Sequence, residues 1–177
     1  MSDAEVLSQT PSEPTRTVGI GASAGGLEAL ERLFRAIPAD TGMAFLVVQH
    51  LSPDFKSLMP ELLERHTPLP VVAVDGDQTL QANTVYVLTS GLTMSVQGTA
   101  LRVEPRRALS EQNLPINLLF ESMASLGPRA VAIVLSGTGT DGTAGAQSVH
   151  AAGGLVLAQL PATARFDSMP RSAIESG

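Results

Sequence analysis

The stretch Val18-Gly19-Ile20-Gly21-Ala22-Ser23-Ala24-Gly25-Gly26 decides the fold of this 177-residue chain, because it leads from a short apolar strand into a glycine-rich turn. Residues 27–37 then place leucines, Phe34 and Ile37 at helical spacing on one face, which predicts a helix directly after the turn. A strand, a tight turn and a helix in this order are typical of the first unit of an α/β domain.

Two functional patterns overlap in this turn. Gly21-Ala22-Ser23-Ala24-Gly25 matches G-x-S-x-G, in which a sharp turn lifts a serine hydroxyl above the end of a sheet. Gly19-Ile20-Gly21-Ala22-Ser23-Ala24 matches G-x-G-x-x-[G/A], the fingerprint of dinucleotide binding. A third interpretation is a glycine-rich turn without chemistry of its own. The turn alone leaves the three open, so the rest of the chain has to decide.

Composition limits the class of protein. With 44% hydrophobic residues, the chain is long enough for one well-buried domain. Its 11 basic and 17 acidic residues give a net charge of −6, which argues against a nucleic-acid partner, and the lack of cysteine excludes thiolate chemistry and disulfides. No apolar run is long enough for membrane insertion, so we expect a cytoplasmic protein. Residues 1–16 are polar and predicted to be a disordered leader, followed by one domain over residues 17–177.

The remaining pattern predicts an α/β fold: a three-layer, Rossmann-like, doubly wound and mostly parallel sheet with a β-hairpin at one edge. Residues 44–48 and 130–135 are nearly uninterrupted apolar runs, typical of central parallel strands. Short β-like runs at 71–74, 84–88, 93–96 and 100–103 predict a hairpin-rich insertion at the sheet edge. Helices are predicted from Ser52-Pro53-Asp54, from Pro115, over residues 144–152 and from Met169-Pro170-Arg171, with a strand over 155–159.

Three chemically complementary side chains follow strand ends: Ser23, His50 and Asp141. The carboxyl ends of parallel strands form the ligand-binding edge of such a sheet. An imidazole can take the proton of a serine hydroxyl, while a carboxylate fixes the imidazole tautomer and steadies its charge. Individually, His50 could cap a carbonyl and Asp141 could serve a turn or a helix N-cap, but their coincidence at three strand ends predicts a catalytic triad.

The other candidates are weaker. Dinucleotide binding calls for an acidic residue at the end of the second strand, where this chain has Gln49-His50. His66 and His150 lie away from strand ends and are interpreted as structural or solvated. No cluster of His, Asp and Glu has the spacing of a metal site.

The chain resembles the catalytic domain of bacterial chemotaxis protein-glutamate methylesterases in five blocks that occur in order from about Val18 onward. The blocks are Gly21-Ala22-Ser23-Ala24-Gly25-Gly26, Gln49-His50, Pro115-Ile116-Asn117-Leu118-Leu119-Phe120, Ser136-Gly137-Thr138-Gly139-Thr140-Asp141-Gly142 and Met169-Pro170-Arg171. In that family the matching serine, histidine and aspartate form the triad, so the resemblance reaches Ser23, His50 and Asp141 as well.

The resemblance implies hydrolysis of glutamate methyl esters on the cytoplasmic helices of chemoreceptors, with release of methanol and, in some members, deamidation of glutamine. It implies a Rossmann-like sheet, no cofactor, and an oxyanion site at the backbone N–H groups of Ala24 and the Thr138 loop. Thr138 stands where methionine is typical and Asn117 where aspartate is frequent, which bears on substrate fit. Members fused to a receptor methyltransferase and sensory modules also exist, and the end at Gly177 suggests a truncated chain of that type.

An alternative function from another class has the same fold but no catalytic activity. In it, Thr138 and Asn117 mark a degenerate site, and the domain is a Rossmann-like binding or regulatory module of a chemosensory protein. The triad favours the enzyme.

Overall fold

A computed structural model describes residues 12–50, 58–106 and 114–177. The strands in these ranges are β1 (Arg16–Ala22), β2 (Met43–Gln49), β3 (Val71–Val74), β4 (Gln78–Thr79), β5 (Thr84–Leu88), β6 (Leu92–Gln97), β7 (Ala100–Pro105), β8 (Ala130–Val134) and β9 (Leu155–Ala158). The α-helices are α1 (Gly26–Ala36), α2 (Met59–Glu64), α3 (Pro115–Met123), α4 (Thr143–Ala151) and α5 (Ser168–Glu175). Residues 124–129 and 161–163 form 3₁₀ turns.

The main sheet has six parallel strands in the order β3-β5-β2-β1-β8-β9. Its centre is β1, in which Ile20 lies opposite Val47 of β2 on one side and Ile133 of β8 on the other. The two predicted central strands are β2 and β8, and their apolar runs are continuous because helices cover both faces of the sheet. The prediction of a Rossmann-like, mostly parallel sheet is confirmed.

Helices form the two outer layers. On one face α1 and α2 pack against the sheet, and Phe34 of α1 meets Phe45 of β2 edge-on with ring centroids 5.8 Å apart. On the other face lie α3, α4 and α5, whose buried residues include Phe120, Val149 and Met169. Because the chain turns to opposite sides of β1 to form β2 and β8, the carboxyl end of β1 is a topological switch point, where α/β sheets bind ligands.

The antiparallel part differs in detail from the prediction. The hairpin of β6 and β7 is present, and with β4 it forms a separate three-stranded sheet in the order β4-β7-β6. However, the runs at 71–74 and 84–88, predicted to belong to the hairpin insertion, are β3 and β5 of the parallel sheet. Their partners are strands distant in sequence, which short apolar runs do not reveal. The small sheet packs on α3, where the Ser122 hydroxyl accepts a hydrogen bond of 2.9 Å from the Val96 N–H.

Helix positions agree with the sequence pattern where the structure describes them. α1 begins at Gly26 and α3 at Pro115, and both predictions are confirmed. The described part of the second predicted helix is α2, while its predicted start at Ser52-Pro53-Asp54 lies outside the described residues. Most of the predicted leader, residues 1–11, also lies outside them, and β1 begins at Arg16.

Candidate active site

The carboxyl ends of β1, β2 and β8 are tied together by main-chain hydrogen bonds. The Ser23 N–H donates to the Ser136 carbonyl at 3.0 Å, and the His50 N–H donates to the Ala22 carbonyl at 3.0 Å. These bonds extend the pairing of the three strands by one residue beyond β1 and β2 and by two residues beyond β8. They place the residues after the three strands side by side at one edge of the sheet.

An open groove of about 500 Å³ lies at this edge. Ser23 and His50 both line it, together with Ala24, Gln49 and the first turn of α1. The structure therefore brings together two of the three predicted triad residues in one solvent-accessible space. In the described part of the chain no direct hydrogen bond joins Ser23 to His50.

The turn around Ser23 needs its glycines. Gly25 has φ of 70°, and a Cβ there would lie 2.8 Å from the Ser136 hydroxyl oxygen. A Cβ on Gly137, in the facing loop, would lie 2.9 Å from the Cβ of Ser23 itself. The two glycines let the β1 and β8 loops approach each other closely, and α1 begins directly behind the serine. The positive end of α1 therefore faces the groove.

Asp141 lies in the loop between β8 and α4 and is only 6% exposed. Its carboxylate accepts hydrogen bonds from the Ile116 N–H at 3.1 Å and the Asn117 N–H at 2.9 Å, the first free amides of α3. Burial raises the pKa of Asp141 above 3.8, and the two amides and the charge of His50 act in the opposite direction.

Asn117, one of the departures from the related family, has a defined place beside Asp141. Its side-chain carbonyl accepts a hydrogen bond of 2.9 Å from the Gly145 N–H in α4, and the residue is 8% exposed. A Cβ on Gly145 would lie 2.9 Å from the Asn117 carbonyl oxygen, so the two helices approach closely here. Asn117 thus joins α3 to α4 and secures the helix end that holds Asp141.

The outer nitrogen of the His50 ring faces Arg106. An Arg106 guanidinium nitrogen lies 3.4 Å from His50 Nε2. Since arginine can only donate, Nε2 must accept, and the proton of the neutral imidazole is assigned to Nδ1. This is the tautomer in which Nε2 can serve as a base. A serine hydroxyl using that nitrogen would replace the Arg106 contact.

Ser136 is a residue of the site to which the sequence assigned no role. Its hydroxyl is buried, donates to the Ala24 carbonyl at 2.8 Å and accepts from the Phe166 N–H at 3.0 Å. It therefore clamps the turn after Ser23 to the segment before α5. The available signal was its position two residues after β8, at the start of the block that ends in Asp141-Gly142.

The two residues of the predicted oxyanion site are placed differently. Ala24 lines the groove beside Ser23, whereas Thr138 is exposed in the loop after β8 and does not line it. His66 contacts Glu31 and Arg35 of α1 and His150 lies on α4, so neither joins the groove. Within residues 12–50, 58–106 and 114–177, no group of three or more His, Asp or Glu side chains could hold a metal ion, and no helix could span a membrane.

Comparison with known proteins gives one consistent picture. A protein-glutamate methylesterase/protein-glutamine glutaminase of Myxococcus xanthus is 37% identical over 93% of this chain and 49% of its own length. A homologue with the same description from Anaeromyxobacter dehalogenans is 39% identical over 98% of the chain and 52% of its own length. An uncharacterized 104.1 kDa protein of Rhodobacter capsulatus is 53% identical over 67% of this chain and 12% of its own length.

The crystal structure of the Thermotoga maritima CheB methylesterase catalytic domain superposes with a TM-score of 0.82 at 27% identity, covering 92% of this chain and 88% of that one. The chain spans about half the length of the methylesterase relatives, and little of the Rhodobacter capsulatus protein. The sequence profile described as CheB methylesterase matches residues 18–177, and the chain therefore belongs to the CheB methylesterase family.

Proposed function

We propose that this domain is a serine hydrolase that removes methyl groups from glutamate γ-methyl esters on the cytoplasmic parts of chemoreceptors. The observation that carries the proposal is the groove at the switch point of the sheet, which Ser23 and His50 share. Asp141 also supports the proposal, because it is a buried carboxylate held by the first amides of α3. Membership in the CheB methylesterase family supplies the substrate class.

In the proposed reaction, Ser23 Oγ attacks the ester carbonyl while His50 Nε2 takes the hydroxyl proton. Asp141 holds the Nδ1–H tautomer and stabilises the imidazolium. The Ala24 N–H stabilises the tetrahedral oxyanion, aided by the positive end of α1, while a second donor from the Thr138 loop stays a prediction because Thr138 does not line the groove. His50 returns the proton to the departing methoxide, which leaves as methanol. A water molecule then hydrolyses the acyl-enzyme by the same steps and frees the glutamate and Ser23.

The same site can act on a glutamine side chain. Attack of Ser23 on the primary amide gives the same acyl-enzyme, and His50 protonates the departing nitrogen to give ammonia. The relatives from Myxococcus xanthus and Anaeromyxobacter dehalogenans are named for both activities. We include deamidation in the proposal, and a fused or separate receptor methyltransferase stays a prediction for the partners.

Two observations favour a second candidate, a binding module without turnover. Arg106 contacts the nitrogen of His50 that the serine hydroxyl would need, and Thr138 does not line the groove. In that case the domain would bind receptor segments and leave their esters intact. The two candidates differ in methanol release and agree in binding, so one experiment separates them.

The experiment is methanol release from membranes that carry methylated chemoreceptors, measured with the wild type, Ser23→Ala and Ser148→Ala. Ser148 is a matched control, because its hydroxyl bonds the Ala144 carbonyl within α4 and does not line the groove. We expect release by the wild type and Ser148→Ala, and at least a 10³-fold loss in Ser23→Ala, on the order seen for serine nucleophiles. Equal binding by all three proteins without methanol release would establish the binding module instead.

A further inference from the structure

Arg165 stands on the rim of the groove that Ser23 and His50 line. Its backbone is held in place because the adjacent Phe166 donates its N–H to the Ser136 hydroxyl and accepts from the Gly137 N–H at 3.0 Å. The Cβ of Arg165 lies 2.9 Å from where a Cβ on Gly25 would stand, two residues after Ser23. The Arg165 Cβ therefore lies close to the turn that presents the serine.

The charge of Arg165 is not neutralised within the described residues. Several exposed arginines there form ion pairs with acidic side chains, namely Arg32–Glu28, Arg102–Asp77, Arg129–Glu13 and Arg171–Asp167. Arg165 has no carboxylate within 4 Å in these ranges, and its guanidinium carbon lies 6.0 Å from the Phe166 ring centroid. In a chain with a net charge of −6, an exposed cation on the groove of Ser23 that has no ion-pair partner among the described residues calls for a function.

The surroundings of Arg165 favour an anionic ligand. Glu28 is the acidic residue on the wall of the groove, and its carboxylate is paired with Arg32 at 2.9 Å. The first turn of α1 has no side-chain cap, so its free N–H groups add positive potential on the same wall. A guanidinium presents a planar set of donors that fits a carboxylate with two parallel hydrogen bonds.

We propose that Arg165 binds a free carboxylate of the substrate protein next to the glutamyl ester that reacts at Ser23. This inference rests on the proposed function, since the ester identifies the substrate as a segment with glutamates. Each hydrolysed ester leaves a carboxylate, and neighbouring glutamates that are already free become ligands of Arg165. The domain therefore prefers an ester beside an unmethylated glutamate to an ester beside a neutral residue.

The test uses two synthetic peptides with one glutamyl γ-methyl ester each, flanked in one by glutamates and in the other by glutamines. Methanol release is measured with the wild type, Arg165→Gln and Arg65→Gln. Arg65 is an exposed arginine directly after α2 that does not line the groove, so its replacement gives the same change in net charge at another site.

We expect Arg165→Gln to raise KM for the glutamate-flanked peptide about fivefold with kcat unchanged, as for an exposed charge pair. KM for the glutamine-flanked peptide stays within about 1.5-fold, and Arg65→Gln changes neither peptide. Added salt removes the wild type's preference for the glutamate-flanked peptide. An equal KM change for both peptides, or the same effect from Arg65→Gln, overturns the carboxylate contact.

A binding measurement keeps the inference separate from the proposed function. Dissociation constants of both peptides are measured for Ser23→Ala with and without Arg165→Gln, which requires no turnover. If the wild type releases no methanol but Arg165→Gln still weakens binding of the glutamate-flanked peptide alone, the hydrolase proposal fails and the Arg165 contact stands. Equal binding with and without Arg165 overturns the contact, whatever the methanol assay gives.

Discussion

Replacing Asp141 with asparagine separates the structural and catalytic roles of this carboxylate. In the wild type the two oxygens each accept an N–H from the start of α3, at 3.1 Å from Ile116 and 2.9 Å from Asn117. An asparagine oxygen can accept only one of them, and the amide nitrogen then faces the other donor. One buried N–H loses its acceptor, which costs about 1–3 kcal/mol.

Part of this cost is offset, because asparagine removes a carboxylate that is costly to bury. The net loss should be about 1–2 kcal/mol, less than the stability of a typical domain, so Asp141→Asn should stay folded. Methanol release should nevertheless fall about 10⁴-fold if the precedent of serine proteases applies, because an amide can favour the wrong tautomer of His50. Urea unfolding measures the first effect and methanol release from methylated receptor membranes the second.

The control is Asp77→Asn, an identical chemical change at an exposed aspartate that accepts the Val103 N–H at 2.8 Å on the small antiparallel sheet. It should leave methanol release unchanged. A folded Asp141→Asn protein with near-normal turnover would remove Asp141 from the triad. Loss of activity in both variants would indicate a general effect of neutralising acidic side chains.

The loss of stability in Asp141→Asn and in Asp77→Asn should also depend on pH, and the two losses should change in opposite directions. Burial raises the pKa of Asp141, so its contribution is fully present below 3.8 and is lost as pH rises through the higher pKa of the folded state. The unfolding free energy lost in Asp141→Asn should therefore be larger in mild acid than at neutral pH. The pKa of Asp77 is lowered by Arg102 and the Val103 amide, so the loss in Asp77→Asn should shrink as pH falls through the folded pKa. A loss in Asp141→Asn that shrinks in acid would contradict burial as the dominant influence.

Two further substitutions test how the site is held. Gly21→Ala should lower the free energy of unfolding in urea by about 1–3 kcal/mol, because the new Cβ would overlap Ile116 of α3. Gly76→Ala, which has open space around it, should lower it much less. Equal losses in the two variants would refute this packing argument. Ser136→Ala should lower kcat about tenfold with little change in KM, because the clamp on the Ala24 carbonyl is lost while the groove remains. Matching kinetics of Ser136→Ala and the wild type would show that the turn keeps its position without the hydroxyl.

The sequence predicted those features of the fold that depend on local pattern. Continuous apolar runs identified β2 and β8, and the glycine-rich turn placed Ser23 at the end of β1. Because parallel strands present their carboxyl ends at one edge, strand ends alone predicted that Ser23 and His50 would share a site. The assignment of Ser23, His50 and Asp141 as a triad stays a prediction.

Other features depend on contacts between distant parts of the chain. The runs of β3 and β5 are as short and apolar as those of the hairpin, and only their pairing with each other and with β2 places them in the parallel sheet. Ser136 acts on Ala24 across 112 positions of sequence. Arg165 reaches the groove because Phe166 is bound to the loop after β8. No local pattern indicates such contacts.

The packing of β1 also explains the pattern that suggested dinucleotide binding. A Cβ on Gly19 would lie 2.6 Å from Met123 Sδ and 3.0 Å from Phe120 Cε1, and one on Gly21 would overlap Ile116, so both glycines let α3 lie close against the strand. They face a helix inside the core and present no surface to a pyrophosphate. Gly25 is the glycine of the turn itself, with its positive φ next to Ser23. Close helix packing therefore accounts for both glycines of the dinucleotide fingerprint, including Gly21, which G-x-S-x-G shares, whereas Gly25 lines the groove with Ser23. The serine is therefore the distinctive feature of the turn.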